Sequence, residues 1–242
     1  MGFSGFTKRG GNLMYLGGLW RSRGRAANYL FGIGPCAFGT GLGKAYVPDY
    51  KLAVDPLYSW IFDGIGPNML IGGNGFSGGA SGDEIDRVDF KLGSPTGTIM
   101  LATSQRHDDT FELFNEDSMF PLVNTLGSQC DRVRSDIIFN ETVGGGGIFS
   151  VGSINCYSSL SWDGFSNNVA KMTDNVLRGF VKQGKGRAQS HPVYCVLTLL
   201  TPGRATLKQR SPITHPGDTR LFSAFKPHAG QLVVWWVTTC ES

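Results

Sequence analysis

Four carboxylates stand close together in GDEIDRVD: Asp83, Glu84, Asp86 and Asp89, with Arg87 among them. A carboxylate offered by a glycine-rich loop suits two kinds of chemistry. It can serve as a general base that takes a proton, or as an oxygen ligand for a hard metal ion. A solvated acidic turn with Arg87 as a local partner explains the same residues without chemistry, since an exposed ion pair contributes little. RHDD (Arg106 to Asp109) sets His107 beside Asp108. No second histidine lies at metal-ligand spacing, so this stretch reads as a solvent-exposed turn.

Nucleophiles are poorly provided for. No G-x-S-x-G elbow presents a serine. Cys156, in SINCYSS, follows an expected strand, a place where nucleophiles occur, yet a small buried thiol is the plainer reading. GTGLGK (Gly39 to Lys44) and GIGPCAFG invite a nucleotide reading. A phosphate cradle needs a strand before it and a helix after it, and neither is evident at these glycines.

The elements that would position these residues follow from patterning. Asn12 to Leu16, between glycine pairs, reads as a buried strand, and SWIFDGIG as a short apolar one. GGNGFSGGASGDEIDRVD reads as a long glycine loop entering the acidic segment. GTIMLATS (Gly97 to Ser104) is β-branched and apolar, a strand opened by a Pro-x-Gly turn. Ile137 to Glu141 and Ile148 to Ile154 form a hairpin about the glycine run. A helix follows, capped by Ser166 or Asn167, with Val169, Met172, Val176, Leu177 and Phe180 at helical spacing and Gly184 as its stop. Beyond it, VYCVLTLL and QLVVWWVTT read as strands.

Composition bounds the class. Hydrophobic residues make up 40% and charged residues 17%, which supports a sizeable core and excludes bulk disorder. Thirty-five glycines are roughly twice the ordinary share of ~7%, with no repeat, and so imply loops and close backbone approaches. The N-terminus reads without a secretory signal, and no run of eighteen apolar residues suggests a membrane span. Five cysteines, odd in number and without a C-x-x-C pair, point to a reduced, cytoplasmic protein. The net charge of +3 is unevenly spread: eight of the 22 basic but only two of the 19 acidic residues lie from Lys182 onward. That break places a boundary near Val181. The basic tail has no recognisable nucleic-acid module, so nucleic acid is not an expected partner.

The stretch from Asp136 to Val181, with GGNLMYLGG, GGLWRSRGR and GGASGDEIDRVDFKLGSP before it in order, resembles the C-terminal end of the large (beta) subunit of N,N-dimethylformamidase. The resemblance covers about Lys8 to Val181. It implies an α/β fold, a partial class-I-glutamine-amidotransferase-like domain with a glycine-rich insertion, and a hydrolase of small formamides. It also implies a ferric iron held by two tyrosines and a glutamate, whose Lewis acidity would activate water. Glu84 matches the family's catalytic glutamate. The asparagine that follows Leu-Gly-Gly in the family is replaced by Leu19, and Asn74 belongs to a different block. The iron ligands of the family lie before GGNLMYLGG, and Tyr15 and Tyr46 are not at their positions, so no metal ligand or cofactor-binding residue is expected in this chain.

The expectation is therefore a truncated homologue. Residues 1–181 form the resembling region and 182–242 a basic tail of other origin or a lineage-specific extension. The chain by itself is expected to be inactive towards the family's small amide substrate and to join a homo- or hetero-oligomer. A non-catalytic binding or scaffold protein remains the alternative, and a dinucleotide-binding oxidoreductase a third reading that stands or falls on Gly39 to Gly43.

Overall fold

The computed structural model describes residues 21, 24–114, 123–142, 146–186, 195–202, 220–222 and 231–239. In chain order the elements are α1 (Asn28–Phe31), β1 (Gly34–Phe38), β2 (Val47–Pro48), α2 (Tyr50–Val54), β3 (Glu84–Arg87), β4 (Ile99–Gln105), β5 (Glu112–Leu113), β6 (Arg134–Glu141), β7 (Gly147–Val151), α3 (Cys156–Leu160), α4 (Asn168–Gly186), β8 (Cys195–Pro202), β9 (Arg220–Phe222) and β10 (Gln231–Thr239). The expected strand at Asn12 to Leu16, and Leu19 after it, lie outside the described residues.

Two sheets share the work. A small one runs β3-β1-β5, and a larger one runs β2-β4-β6-β7-β8-β10-β9. The strands pair antiparallel except β7 with β8, which are parallel and joined through α3 and α4. Parallel neighbours need such a crossover, and a helix is its usual form. The result is a mixed fold of helices and mainly antiparallel sheets, compatible with the α/β class.

The hairpin of β6 and β7 forms as its sequence requires, with Phe139 opposite Phe149 and Ile137 opposite Val151. The return strand stops at Val151, however, short of Ile154. Ser153 instead bridges Ile85 of β3, and the chain turns into α3. Helix α4 begins as expected: the Asn167 carboxamide oxygen accepts the Ala170 N–H at 3.0 Å. It runs past Gly184 to Gly186, so the composition break at Val181 falls inside a helix. Val169, Met172, Val176 and Phe180 are buried against Ile61, Phe62, Phe139 and Phe149, whereas Leu177 is exposed.

SWIF is not a strand. Ser59–Phe62 is a 3-10 turn in which neighbouring Ile61 and Phe62 are both buried. Strand alternation would place adjacent residues on opposite faces. Trp60 Nε1 donates to Leu57 O at 3.0 Å, which ties that turn together. A second core, of Cys36, Ala37, Ile85, Phe111, Leu113 and Val133, lies beneath the small sheet.

Candidate active site on strand β3

The acidic segment forms a strand where the sequence suggested a loop. Along β3 burial alternates: Ile85 and Arg87 point inward, while Glu84 and Asp86 share the half-buried opposite face. The spacing thus sets two carboxylates side by side on one surface of the small sheet.

Both flanks of β3 are held. On one side β1 pairs Phe38 with Glu84 and Pro35 with Asp86. On the other, the Asp86 N–H donates to Gly152 O at 2.7 Å and the Ile154 N–H to Glu84 O at 3.2 Å. Between these two bonds Ser153 clamps the chain entering the strand. Its hydroxyl donates to Gly82 O at 2.7 Å and accepts the Gly82 N–H at 2.8 Å. Asp83 takes a left-handed conformation, φ 58°, one that aspartate tolerates better than most residues. Its carbonyl accepts the Gly39 N–H at 2.8 Å.

Arg21 completes the surface. Its guanidinium donates to Pro35 O at 2.6 Å, beside the register position of Asp86, and lies 5.9 Å from the centre of the Phe114 ring. Phe114 in turn stands 5.8 Å from Phe38. The arrangement is two carboxyls, a cation fixed by a carbonyl and a ring face, and an aromatic wall.

The electrostatics separate the carboxyls. Desolvation, then the charge of Glu84, raises Asp86 from 3.8 to about 8, and Arg21 offsets only part of this. Asp86 keeps some accessible area, but enclosing protein atoms deprive its charged form of water. Burial also raises Asp83. Asp89 behaves oppositely: burial alone would raise it, but the hydrogen bond and charge of Arg87 outweigh that and hold it low. Arg87 is buried, pairs with Asp89 and donates to Arg132 O at 3.2 Å, so it belongs to the inner side of the strand.

The remaining candidates fall away from this surface. Arg106, Asp108 and Asp109 are exposed, as a turn implies, but His107 is only 1% exposed. Its ring packs 4.6 Å from Phe111, and Nε2 lies 3.2 Å from Ser81 Oγ. Desolvation and the Lys44 charge lower it to about 4, so it is a neutral core histidine. Cys156 opens α3, buried, with its thiol pushed up to about 12 by desolvation. A thiolate nucleophile is disfavoured there. The Gly39 to Gly43 loop ends the dinucleotide reading. It opens no helix, and Gly43 N–H and Lys44 N–H are already spent on Ser77 O and Ser81 O.

Among the described residues no group of three or more His, Cys, Asp or Glu is placed to hold a metal ion. The described residues therefore make up no ligand set for a resident iron. Asp86 stood in the acidic cluster without a role distinct from its neighbours, and Arg21 went unremarked among the sequence candidates. The alternation Glu-Ile-Asp-Arg was the available signal for Asp86; for Arg21, whose partners are distant in sequence, there was none.

Comparison with known proteins bears on this surface. Residues 3–172 match the family described as N,N-dimethylformamidase beta subunit-like, C-terminal. The N,N-dimethylformamidase beta subunit of Paracoccus aminophilus is 41% identical over 169 residues, 69% of this chain and 22% of that protein. The beta subunit of the same name from an Alcaligenes species is 40% identical over the same lengths. The chain thus spans about a fifth of the length of these relatives. With the family match running across α1 to α3, β3 and its two carboxyls included, the chain belongs to the N,N-dimethylformamidase beta subunit-like C-terminal family.

Proposed function

We propose that this chain supplies the carboxylate wall of a small-formamide hydrolase site, with Glu84 as its general base. The observation that carries the reading is the placement of Glu84 and Asp86 on one face of a strand held along both flanks, with the Arg21 charge acting on Asp86. Amide hydrolysis joins a water oxygen to the formyl carbon and breaks the C–N bond. A base must take the water proton, and the leaving amine must gain one. Glu84 would accept that proton and pass it on. Arg21 would balance negative charge at the same surface.

The chain alone would be inactive in this reading. Its described residues bring a base and a cation but no metal-ligand group, so an iron used by the family would take its ligands from elsewhere. The partial amidotransferase-like architecture stands as part of the proposal, supported by the β7–β8 crossover through α3 and α4. The relatives are named as subunits, which supports assembly of this chain with further copies or with another subunit. The free thiols of Cys36, Cys130 and Cys156 support a cytoplasmic setting. Among the described residues no helix is long and apolar enough to cross a membrane. A second reading, a non-catalytic scaffold homologue, is favoured by the same want of a ligand group.

A chimera separates the two. The Paracoccus aminophilus beta subunit is rebuilt with residues 3–172 of this chain in place of its own matching region, and dimethylamine release from N,N-dimethylformamide is measured. The hydrolase reading expects turnover that falls about 10²-fold or more in Glu84→Gln, and none from the 242-residue chain alone. A soluble, folded chimera without turnover would favour the scaffold, and an active chimera indifferent to Glu84→Gln would remove Glu84 from the mechanism.

A further inference from the structure

We infer that three aromatic side chains, Phe76, Trp162 and Phe165, form a docking face. Its occupant is the part of a family beta subunit that precedes the C-terminal region matched by this chain. The inference goes beyond the hydrolase reading and needs neither Glu84 nor Asp86.

Exposure and strain meet on this face. Phe76 and Trp162 pack edge to face, ring centres 5.2 Å apart, yet Phe76 keeps 72% of its surface in solvent. Trp162 and Phe165 open and close the four-residue turn between α3 and α4, and Phe165 is 64% exposed. Within that turn Asp163, Gly164 and Phe165 take φ values of 51°, 58° and 68°. A left-handed phenylalanine is an outlier that costs stability, and such outliers cluster at functional sites. Phe165, mostly in water, recovers little of that cost within this chain. Both halves of the face are nonetheless held. Asn167 Nδ2 donates to Trp162 O at 2.7 Å and to Leu160 O at 3.1 Å, and the Ser166 N–H to Asp163 O at 2.9 Å. On the other half, Asn155 Nδ2 donates to Gly79 O at 2.7 Å and Ser77 O at 3.3 Å, closing the loop that carries Phe76. Aromatic groups fixed before contact lose little entropy on binding, and tryptophan above all is enriched among interface anchors.

Charge and chain length name the occupant. From Gly72 to Gly82 and from Ser158 to Ala170 the sole charged residue is Asp163. An aromatic face so poor in charge has the composition of a protein interface core, and it lacks the cations that an anionic lipid surface would call for. The matched region is the C-terminal part of the family, and in the two relatives it takes up 22% of the length. Most of each relative therefore lies outside that region and ahead of it. A module of a longer polypeptide packs on the remainder through a face that is exposed when the module stands alone. The turn at 162–165 falls inside the match, within the part shared with those relatives.

The chain alone supplies the first test. Phe165→Asn puts at φ 68° a residue that accepts that conformation. The melting temperature of the 242-residue chain should therefore stay or rise. A fall would show that Phe165 serves this chain's own fold and would overturn the proposal. The second test compares hydroxyl-radical oxidation of the chain with that of the chimera built on the Paracoccus aminophilus beta subunit. Phe76, Trp162 and Phe165 should lose several-fold in oxidation rate in the chimera, where the rest of that subunit is present, and Phe165→Asn should there lower the melting temperature. Equal oxidation in the two proteins, or a chimera that Phe165→Asn leaves as stable as before, would overturn the proposal. So would protection of exposed Tyr50 on α2 in place of the three aromatics. Protection that grows with concentration in the 242-residue chain would make a second copy the occupant, and would overturn it too. Turnover is not read, so a failure of the hydrolase reading leaves these outcomes standing.

Discussion

The Asp86 N–H donates to Gly152 O at 2.7 Å, and the Gly152 N–H donates to Asp136 O at 2.9 Å, so a single glycine ties β3 to β6. This is how the carboxylate strand of the small sheet is fastened to the large one. A Cβ at position 152 would lie 2.3 Å from Asp86 O and 2.7 Å from Asp136 O. Both are main-chain atoms, and neither can swing aside as a flexible side chain would. Gly152→Ala should therefore push the strands apart, at about 1–3 kcal/mol for the forced shift. The urea midpoint should fall with the slope unchanged, and an unmoved midpoint would contradict the close packing.

Ser153 is the second fastening, and it acts through hydrogen bonds. Its hydroxyl serves both the N–H and the carbonyl of Gly82, which is buried. Ser153→Ala removes the partner of both groups without admitting an apolar substitute. Buried groups left unpaired in this way cost about 1–3 kcal/mol. Hydrogen exchange at the Gly82 amide should quicken along with the loss of stability. Stability lost with Gly82 exchange unaltered would place the effect elsewhere.

Elements whose burial follows a local period were legible in the sequence. Val169, Met172, Val176 and Phe180 mark α4, and the apolar run Ile137 to Phe139 marks β6, which the structure buries on both faces. Strand β3 was hidden because only one of Glu-Ile-Asp-Arg is apolar. Arg87 occupies an inward position that Asp89 and Arg132 O help to make tolerable. His107 was hidden for a similar reason, since Phe111 and Ser81 bury it and the flanking charges suggested the opposite. Glu84 was found through resemblance; the face it shares with Asp86 required the strand, and Arg21 required the fold.

Phe180 tests the larger core. It is buried, 6.3 Å from the centre of the Phe139 ring, while Leu177, three residues earlier on the same helix, is 42% exposed. Phe180→Ala should cost about 3–5 kcal/mol, lost transfer energy and cavity together. Leu177→Ala should cost clearly less, about 1 kcal/mol, because some two-fifths of the residue stays in solvent. Denaturation of both variants checks the orientation of α4. Equal losses would mean that the helix is rotated about its axis.

The pH dependence of stability follows from two groups with opposing slopes. His107 is lowered to about 4 in the folded chain, against about 6.5 when unfolded. Between those values the unfolded chain binds the extra proton, so stability rises with pH. Asp86 is raised to about 8, against about 3.9 when unfolded. Between those values the folded chain holds the extra proton, so stability falls as pH rises. The two largely offset one another from about pH 4 to 6.5, and above that Asp86 acts alone up to about pH 8. Urea midpoints of the wild-type chain should thus decline from pH 6.5 to 8. Asp86→Asn should remove that decline and be more stable than wild type at pH 8, where the wild-type carboxyl ionises at a cost. His107→Gln should instead leave midpoints that decline from pH 4.5 to 6.5, since the Asp86 slope, with that of raised Asp83 in the same direction, is left unopposed there. If Asp86→Asn kept the alkaline decline, the proton would belong to another group.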